Sequence, residues 1–290
     1  MTVISSEARA DTEHKRISIG VVLYENSASE IGGCLDAIAR QSRPECVLEV
    51  LFRDQSGKCL APVLAWAEEH QQAFEIRTFS GENVGFGGGH NALFREVAAQ
   101  SHAYLCLNPD GTLHPDCVAQ LVDFAESRSW KGIFEAIQEP IMHPKHFDPQ
   151  SGATAWCSGA CVLIPNEVYR AIEGFDEKFF LYCEDVDLSW RVKALGLRCY
   201  TAAEALFFHY AVERSSRAPE MWKSAYALGH KWRAPEFKEF AFNNLAAMFD
   251  IDPVELKKHL DSIDEMAIES VLKASPDFRH NLVFATPMWS

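Results

Sequence analysis

Three carboxylates lie within four consecutive positions of the chain. Glu184, Asp185 and Asp187 follow an aromatic and apolar run, and a helical pattern continues after them to Gly196. A purely structural interpretation is that acidic side chains stabilise the positive end of a helix, with Asp187 pairing with Arg191 at i,i+4 spacing. A chemical interpretation is that the apolar wall raises the pKa of a carboxyl group and makes it suitable as a general base. A base acts only on a bound substrate, which the rest of the chain must position.

Strand and helix patterns alternate before this acidic cluster. Short β-rich apolar runs are each followed by a helical pattern, which predicts an α/β fold: a Rossmann-like, mostly parallel central sheet flanked by helices. The predicted strands cover residues 17–24, 47–52, 74–79, 103–107, 132–137, 156–165, 198–201 and 205–210. After about residue 218 the pattern predicts helices, at 221–232, 237–249, 253–260 and 266–272.

Polar residues mark the ends of the predicted parallel strands. Asp54 follows the second strand, a glycine-rich loop at residues 81–89 follows the third, and Asn108 and Asp110 follow the fourth. Any one of them could serve only a turn, but ligands of open α/β sheets bind at the carboxyl ends of strands, so their joint placement indicates a binding site. The loop lacks the Gly-Lys-Ser/Thr ending of a P-loop, and we expect a helix to begin after it, near His90.

The composition is that of a globular protein. The 290 residues are 48% hydrophobic and 23% charged, which suffices for one large or two small domains. We divide the chain into a polar N-terminal tail at 1–16, an α/β domain at 17–215 and a helical C-terminal extension at 216–290. No apolar run is long enough for a membrane span, and the first residues lack the apolar stretch of a signal peptide, so we expect a cytoplasmic protein.

The net charge and the positions of the cysteines and histidines limit which kinds of ligand and metal the protein could bind. The formal net charge of -14 disfavours binding to nucleic acid or to anionic membranes, and the nine cysteines indicate reduced thiols. Cys157 and Cys161 have no second pair at zinc-finger spacing, and His143 and His146 lie in a proline-rich loop where histidines are more often solvated. His209 ends the last predicted strand, close enough in the chain to the acidic helix to reach the same cleft.

The motifs, in their order along the chain, resemble the family 2 inverting glycosyltransferases, which have the GT-A fold, and within them the rhamnosyltransferase-like branch. The resemblance covers roughly residues 17–212 and depends on the ordered set rather than on any one motif. The matching pieces are residues 17–24, Asp54, residues 83–91, 107–110, 159–160, 174–177 and 184–191, and His209.

The resemblance implies roles for particular residues. Asp185 would be the general base that takes the proton of the attacking hydroxyl group, with Glu184 as the second candidate. Asp187 and Arg191 would support them. The residues implied in binding the nucleotide sugar are Asp54, Asn83, Gly85, Phe86, Gly87, Asn91, Asn108, Trp156 and Gly159.

The resemblance also implies a divalent metal, Mg²⁺ or Mn²⁺. Asp110 would hold the metal against the diphosphate, and His209 would be a further ligand. The metal would neutralise the charge on the departing nucleotide diphosphate. The family's metal motif commonly reads Asp-x-Asp, whereas this chain has Asn108 in the first position, as the Asn-Pro-Asp branch does. This departure bears on metal affinity and on strict metal dependence.

The implied reaction moves a sugar from a nucleotide-diphosphate donor to a glycan or lipid-linked saccharide in surface polysaccharide biosynthesis. The usual donor of the branch is dTDP-L-rhamnose. The C-terminal helices would shape the acceptor side or contact the inner membrane face peripherally, and the sequence does not indicate an oligomeric state. Two other classes stay open: a glycoside hydrolase, whose two carboxylates flank the bond at about 5 to 9 Å, and an inactive sugar-nucleotide-binding or partner-binding module on the same fold.

Overall fold

Parallel strands form one half of a central sheet in the computed structural model, which describes residues 15–209, 217–248, 252–280, 282 and 286–287. The strands lie in the order β3-β2-β1-β4, and apolar side chains bury both faces of β1 and β4, as is usual in parallel sheets. This half consists of strands β1 (Ile17–Leu23), β2 (Val47–Asp54), β3 (Glu75–Ser80) and β4 (Ala103–Leu107), which alternate with helices α1 (Ala28–Ala39), α2 (Leu60–Glu69) and α3 (Gly85–Phe94). The predicted strand–helix alternation is confirmed.

The second half of the sheet is mixed. Its strands are β5 (Gly111–Leu113), β6 (Gly132–Met142), β7 (Ala153–Thr154), β8 (Cys161–Pro165), β9 (Arg198–His209) and β10 (Thr286–Pro287). The order continues as β4-β8-β6-β9-β5, in which β6 and β9 are parallel and the other pairs are antiparallel. Strand β7 pairs with β9, and β10 pairs with β6. The helices here are α4 (Cys117–Ser127), α5 (Asn166–Ala171) and α6 (Glu184–Ala194).

Several element boundaries differ from the predicted ones, among them the end of β6, which extends to Met142 rather than to residue 137. Residues 198–209 form one strand rather than two, because a register shift opposite β6 absorbs the irregularity, and Tyr210 lies outside the described residues. Strand β8 begins only at Cys161, since the three N–H groups of residues 157–159 donate to side chains instead of a neighbouring strand. Helix α3 begins at Gly85 rather than near His90, so most of the predicted glycine loop is helical.

The four predicted C-terminal helices are confirmed within a few residues. They are α7 (Ala218–Lys231), α8 (Pro235–Met248), α9 (Pro253–Asp261) and α10 (Ile268–Ala274). These helices share a hydrophobic cluster with α6, in which Trp190 and Trp232 pack edge to face with ring centroids 5.4 Å apart. The predicted domain boundary at 215/216 and residues 1–14 of the predicted tail lie outside the described residues, so the division into domains stays a prediction.

Two absences expected from the sequence concern membranes and disulfides. In the part of the chain that the structure describes, no helix is both long and apolar enough to cross a membrane. All nine cysteines are buried and free, as expected. Burial, with a smaller contribution from Asp110, raises the pKa of the Cys34 thiol to about 12, so that this thiol is protonated at neutral pH.

Candidate active site

A cavity of about 1580 Å³ opens at the carboxyl ends of β1, β2, β3 and β4. This is the edge of the sheet at which the sequence placed the site. The predicted site residues that line it are Asn83, Gly85, Phe86, Asn108, Asp110, Trp156, Gly159, Glu184, Asp185 and His209. The predicted residues that do not line it are Asp54, Gly87, Asn91, Asp187 and Arg191.

Asp185 is the second residue of α6 and is partly buried. The Gly159 N–H donates to its Oδ2 at 2.9 Å, and the Val186 N–H donates to its Oδ1 at 2.8 Å. Burial raises the pKa of Asp185, while these N–H groups and the charge of Lys145 limit the rise. The carboxyl group is therefore fixed in orientation against the cavity, with the raised pKa that suits a general base.

Glu184, the first residue of α6, has different surroundings. Its side chain lines the cavity, yet the residue is only 5% exposed and its Oε2 has no hydrogen-bond partner among the described residues. Burial, followed by the charge of Asp185, raises the pKa of Glu184 well above its usual range. The carboxyl group of Glu184 is thus harder to ionise than that of Asp185, which is the more exposed residue of the pair.

The turn before α6 is strained and is held from two sides. Tyr182 and Cys183 both adopt left-handed backbone conformations, with φ of 69° and 63°. Such conformations cost about 1 to 3 kcal/mol each in non-glycine residues. The carbonyl groups of the two residues before them also accept hydrogen bonds. The Phe180 carbonyl accepts the Phe86 N–H of α3 at 3.1 Å, and the Leu181 carbonyl accepts the Ser224 hydroxyl of α7 at 2.7 Å. Helices α3 and α7 therefore fix the point at which the acidic helix begins.

Asp110 and His209 lie side by side in the cavity. The His209 Nε2 is 3.1 Å from Asp110 Oδ1, and its Nδ1 is 3.2 Å from the Gln138 Oε1. Burial opposes ionisation of Asp110, but the hydrogen bond and charge of His209 outweigh it and lower the pKa of Asp110. Gln138 orients the ring through Nδ1, and the two groups are close enough that a cation could replace the hydrogen bond between them.

This pair fits the implied divalent metal. One carboxylate and one imidazole, together with substrate oxygens and water, form a donor set that Mn²⁺ accepts, and Mg²⁺ often takes only one or two protein ligands. No cluster of three or more potential ligands occurs among the described residues, so substrate would have to supply much of the coordination. Asn108 also lines the cavity and could supply a neutral oxygen.

The Asp54 side chain accepts hydrogen bonds from the loop that follows it. Its Oδ1 accepts hydrogen bonds from the N–H and hydroxyl groups of Ser56 and from the Gly57 N–H, and its Oδ2 accepts one from the Cys59 N–H at 2.7 Å. Burial opposes ionisation, but these four hydrogen bonds prevail and lower the pKa of Asp54. The residue is 1% exposed, so its predicted contact with the nucleotide would require the loop to move; Gln55 lines the cavity instead.

The glycines at the start of α3 serve close packing. Gly85 has φ of 79°, and a Cβ there would overlap the Phe180 carbonyl group; a Cβ on Gly87 would lie 2.7 Å from the Phe175 Cβ. The Asn83 side chain accepts the Gly85 N–H at 3.1 Å and closes the turn. The glycine-rich stretch thus allows α3 to pack closely against residues 175–180 and the acidic helix. This packing explains the glycines without a role in phosphate binding.

Asn91 is a buried link in the same contact. Its side-chain amide donates to the Phe175 carbonyl and to Glu177 Oε1, both at 2.9 Å. Its Oδ1 accepts the Tyr169 hydroxyl at 2.8 Å and the Phe175 N–H at 2.9 Å. Because these bonds satisfy the amide, Asn91 positions residues 175–177, and its predicted contact with the nucleotide sugar has no support in the geometry.

Asp187 is the centre of a buried ion network. The predicted pairing with Arg191 is present at 2.8 Å, and Lys231 and Trp232 also donate to Asp187, at 2.8 and 2.9 Å. Lys231 is bound to Asp176 as well, at 2.6 Å. Two cations and two carboxylates therefore join α6, α7 and the loop at residues 174–177. The supporting role implied for Asp187 and Arg191 stays a prediction.

A buried cation behind the site was missed by the sequence analysis. Lys145 Nζ donates to Glu135 Oε1 at 2.6 Å and to the Trp156 carbonyl oxygen, and it lies 4.2 Å from the Trp156 ring centroid. Glu135 Oε2 accepts the Ser158 N–H at 2.7 Å. The pair thus holds the loop at 156–160 that binds Asp185. The only sequence signal for this ion pair was Glu135, a charged residue inside an apolar strand. Lys145 gave no signal, because a lysine in a proline-rich loop is usually exposed to solvent.

Aromatic side chains from the C-terminal helices form one wall of the cavity. Phe240 of α8 is 54% exposed, and Phe180, from the turn before α6, is 45% exposed. Exposed aromatic rings at a cavity mouth suit the apolar face of a sugar or an apolar chain. The C-terminal part of the chain also contributes Trp222, Phe237, Phe278 and Leu282 to this wall.

Fold and cavity define an α/β protein with a ligand site at the carboxyl edge of its sheet, and comparison with known sequences gives the family. The profile described as Glycosyl transferase family 2 matches residues 18–186, more than half of the chain. The chain belongs to this family. The match begins at the second residue of β1 and ends at Val186, just past Asp185.

Curated relatives carry names from polysaccharide biosynthesis. The chain is 36% identical over 197 residues to the rhamnosyltransferase WbbL of Escherichia coli, covering 56% of this chain and 73% of that protein. It is 28% identical over 178 residues to the O-antigen biosynthesis protein RfbC of Myxococcus xanthus, covering 60% of this chain but 13% of that protein. It is 29% identical over 104 residues to the N-acetylglucosaminyl-diphospho-decaprenol L-rhamnosyltransferase of Mycobacterium tuberculosis, covering 31% of this chain and 33% of that protein. The chain thus spans a third or less of these last two relatives.

Solved structures share the fold. A mannosyltransferase from Pyrobaculum calidifontis, in complex with GDP-Man and Mn²⁺, superposes with a TM-score of 0.61 at 15% identity, covering 91% of this chain and 87% of that one. GalNAc-T7 with UDP, GalNAc and Mn²⁺ superposes with a TM-score of 0.64 at 13% identity, covering 88% and 56%. The chain has the GT-A fold, and at these identities the likeness extends no further than the fold.

Proposed function

We propose that this protein is an inverting glycosyltransferase that moves a sugar from a nucleotide-diphosphate donor to a hydroxyl group of a glycan or lipid-linked saccharide, in surface polysaccharide biosynthesis. The observation that carries the proposal is the Asp185 carboxyl group, fixed by two backbone N–H groups at the wall of a cavity that also contains the Asp110–His209 pair. The rhamnosyltransferase names of the relatives support rhamnose as the transferred sugar, and dTDP-L-rhamnose is the donor that the family resemblance implies.

Asp185 takes the proton of the acceptor hydroxyl group. Each of its oxygens accepts one N–H and retains a lone pair for that proton, and the raised pKa improves it as a proton acceptor. The hydroxyl oxygen attacks the anomeric carbon as the proton leaves, from the face opposite the nucleotide diphosphate, which inverts the configuration.

The donor occupies the carboxyl edge of the parallel strands. Gln55 and Asn83 line this part of the cavity, and Gln55 is held in place by the hydrogen bond that it donates to the Gly85 carbonyl at 3.1 Å. Asp110 and His209 would hold a divalent metal, which when bound neutralises charge on the diphosphate. The aromatic wall from α7 and α8 would receive the acceptor.

Two other classes have less support. A glycoside hydrolase needs two carboxyl groups across the scissile bond, at about 5 to 9 Å, whereas Glu184 and Asp185 are neighbours on one helix. An inactive binding module on the same fold would not need a fixed carboxyl group with a raised pKa at the cavity wall. Donor binding without turnover would identify such a module.

The test is the substitution Asp185→Asn. Loss of a general base lowers kcat by about 100- to 10,000-fold, while donor binding persists because the nucleotide side is untouched. We would measure turnover with dTDP-L-rhamnose and the rise in melting temperature with nucleotide diphosphates and their sugars, with and without Mn²⁺, since a ligand of the native state raises it.

The matched control is Asp264→Asn, because the Asp264 side chain is fully exposed and does not line the cavity. The control should turn over donor like the unchanged protein. Turnover by Asp185→Asn at the unchanged rate, or a product with retained configuration, would overturn the mechanism. A melting temperature unmoved by every nucleotide would favour a module for another ligand.

A further inference from the structure

Glu184 is buried although one of its carboxyl oxygens, Oε2, has no hydrogen-bond partner among the described residues. It stands at the first position of α6, where the preceding residue, Cys183, makes no side-chain cap. Burial of a carboxyl oxygen without a hydrogen-bond partner is unfavourable. Such a group is retained where a ligand completes it, and Glu184 lines the cavity.

The same burial argues against Glu184 as the base. A base must be charged before the acceptor arrives, and charge on a residue that is 5% exposed, next to Asp185, is strongly disfavoured. Asp185 is more exposed and has two N–H donors that stabilise its charge. The two neighbouring residues are therefore suited to different roles: Asp185 to remove a proton, and Glu184 to donate a hydrogen bond.

The helix geometry indicates which part of a substrate Glu184 meets. Residues four apart share a helix face, so Glu184 lies above Leu188 on α6. Leu188 packs in the cluster that contains Phe175 and borders Phe86, and Phe86 lines the cavity at the start of α3. Glu184 is also the neighbour of Asp185, which takes the proton of the hydroxyl group that attacks the anomeric carbon of the transferred sugar. The group within reach is therefore the transferred sugar.

We infer that Glu184 binds a hydroxyl group of the transferred sugar, donating its acid hydrogen to the hydroxyl oxygen and accepting the hydroxyl hydrogen on its carbonyl oxygen. A sugar hydroxyl both donates and accepts, which matches a neutral carboxylic acid. The inference rests on the proposed function, because it takes a nucleotide sugar as the ligand. It makes Glu184 a residue that recognises the sugar, whereas the nucleotide is bound elsewhere.

The experiment separates the sugar from the nucleotide. We would measure Kd by calorimetry, with Mn²⁺ present, for dTDP and dTDP-L-rhamnose, or for the diphosphate and sugar nucleotide that the melting screen selects. The proteins are the full chain, Glu184→Leu and Glu184→Gln. Binding of the diphosphate alone reports the proposed function, and the ratio of the two Kd values reports the contact of Glu184 with the sugar.

Glu184→Leu should leave the Kd of the diphosphate unchanged and weaken the sugar nucleotide relative to it by about tenfold. Glu184→Gln, which is isosteric with the neutral acid, should keep the ratio within about threefold and keep turnover far above that of Asp185→Asn. Equal weakening of both ligands by Glu184→Leu would mean a structural role and overturn the inference. Loss of turnover in Glu184→Gln as deep as in Asp185→Asn would identify Glu184 as a base and overturn it as well.

Discussion

At the scale of single residues, two aspartates illustrate how hydrogen bonding decides the state of a buried carboxyl group. Asp54 accepts four hydrogen bonds from its loop, and its pKa is lowered although the residue is 1% exposed. Asp185 accepts two, and burial prevails, so its pKa is raised. Each aspartate follows an apolar stretch of the sequence, so the sequence could not predict that their pKa values shift in opposite directions. The N–H donors that decide the direction come from Gly159 and from the geometry of the loop at Asp54.

We predict a pH dependence that follows from the raised pKa of Asp185. The base works only when deprotonated, so kcat/KM should fall as the pH drops through a value above the usual pKa of aspartic acid, about 4. Lys145 acts through its charge to lower that pKa. Lys145→Met should therefore move the acid limb of the profile to higher pH, as the charged form of Asp185 loses a cation.

The control for this pH prediction is Lys131→Met, at an exposed lysine that does not line the cavity. Its profile should coincide with that of the unchanged protein. An acid limb that stays in place in Lys145→Met, in protein shown to be folded by circular dichroism, would contradict the assignment of the limb to Asp185.

At the scale of elements, the position of α6 depends on its neighbours more than on its own sequence. Its first turn follows two left-handed residues, and α3 and α7 fix the carbonyl groups before them. The helices, the parallel strands and the Asp187–Arg191 pair were predictable, because apolar periodicity and i,i+4 spacing are local properties. The contributions of Lys231 and Lys145 were not predictable. Lys231 lies 44 positions after Asp187 and Lys145 lies 40 positions before Asp185, so only the tertiary fold brings each pair together, and no local pattern encodes it.

We predict that Lys231→Met destabilises the protein strongly. Lys231 is 5% exposed and neutralises Asp176 and Asp187, and removal of one partner from a buried ion network costs about 3 to 5 kcal/mol. Burial opposes ionisation of Asp176, and the charge of Lys231 outweighs it and lowers the pKa of Asp176, so the substitution strands a buried charge. Urea unfolding with the free energy extrapolated to water measures the loss.

The matched control is Lys223→Met on the same helix, because the Lys223–Glu220 pair is about 40% exposed on both sides. Exposed pairs contribute about 0 to 1 kcal/mol. The double variant Lys231→Met with Asp176→Asn should recover part of the stability, since the stranded charge is gone. Equal losses for the two lysines would show that the network is not what joins α7 to α6.

At the scale of the whole molecule, the C-terminal helices are part of the structure that surrounds the cavity. They contribute Trp222, Phe237 and Phe240 to its wall, and they share a core with the acidic helix. The sequence predicted these helices but assigned them to a separate extension, because composition and periodicity show that an element exists and not where it packs. A helix that carries the proposed base on one face and packs on α7 with another couples the two regions.

We therefore predict that a chain ending at residue 216 does not fold on its own. The truncation would expose Trp190 and Phe179, which are 0% and 1% exposed, and would leave Asp187 without Lys231 and Trp232. A domain whose core is opened in this way loses the close packing that makes unfolding cooperative. Calorimetry of the truncated chain should show no sharp transition and near-ultraviolet circular dichroism should be lost, with the full chain as reference. A cooperative transition in the truncated chain would mean that residues 17–215 are an independent domain, and that the helices after them serve the acceptor side without supporting the acidic helix.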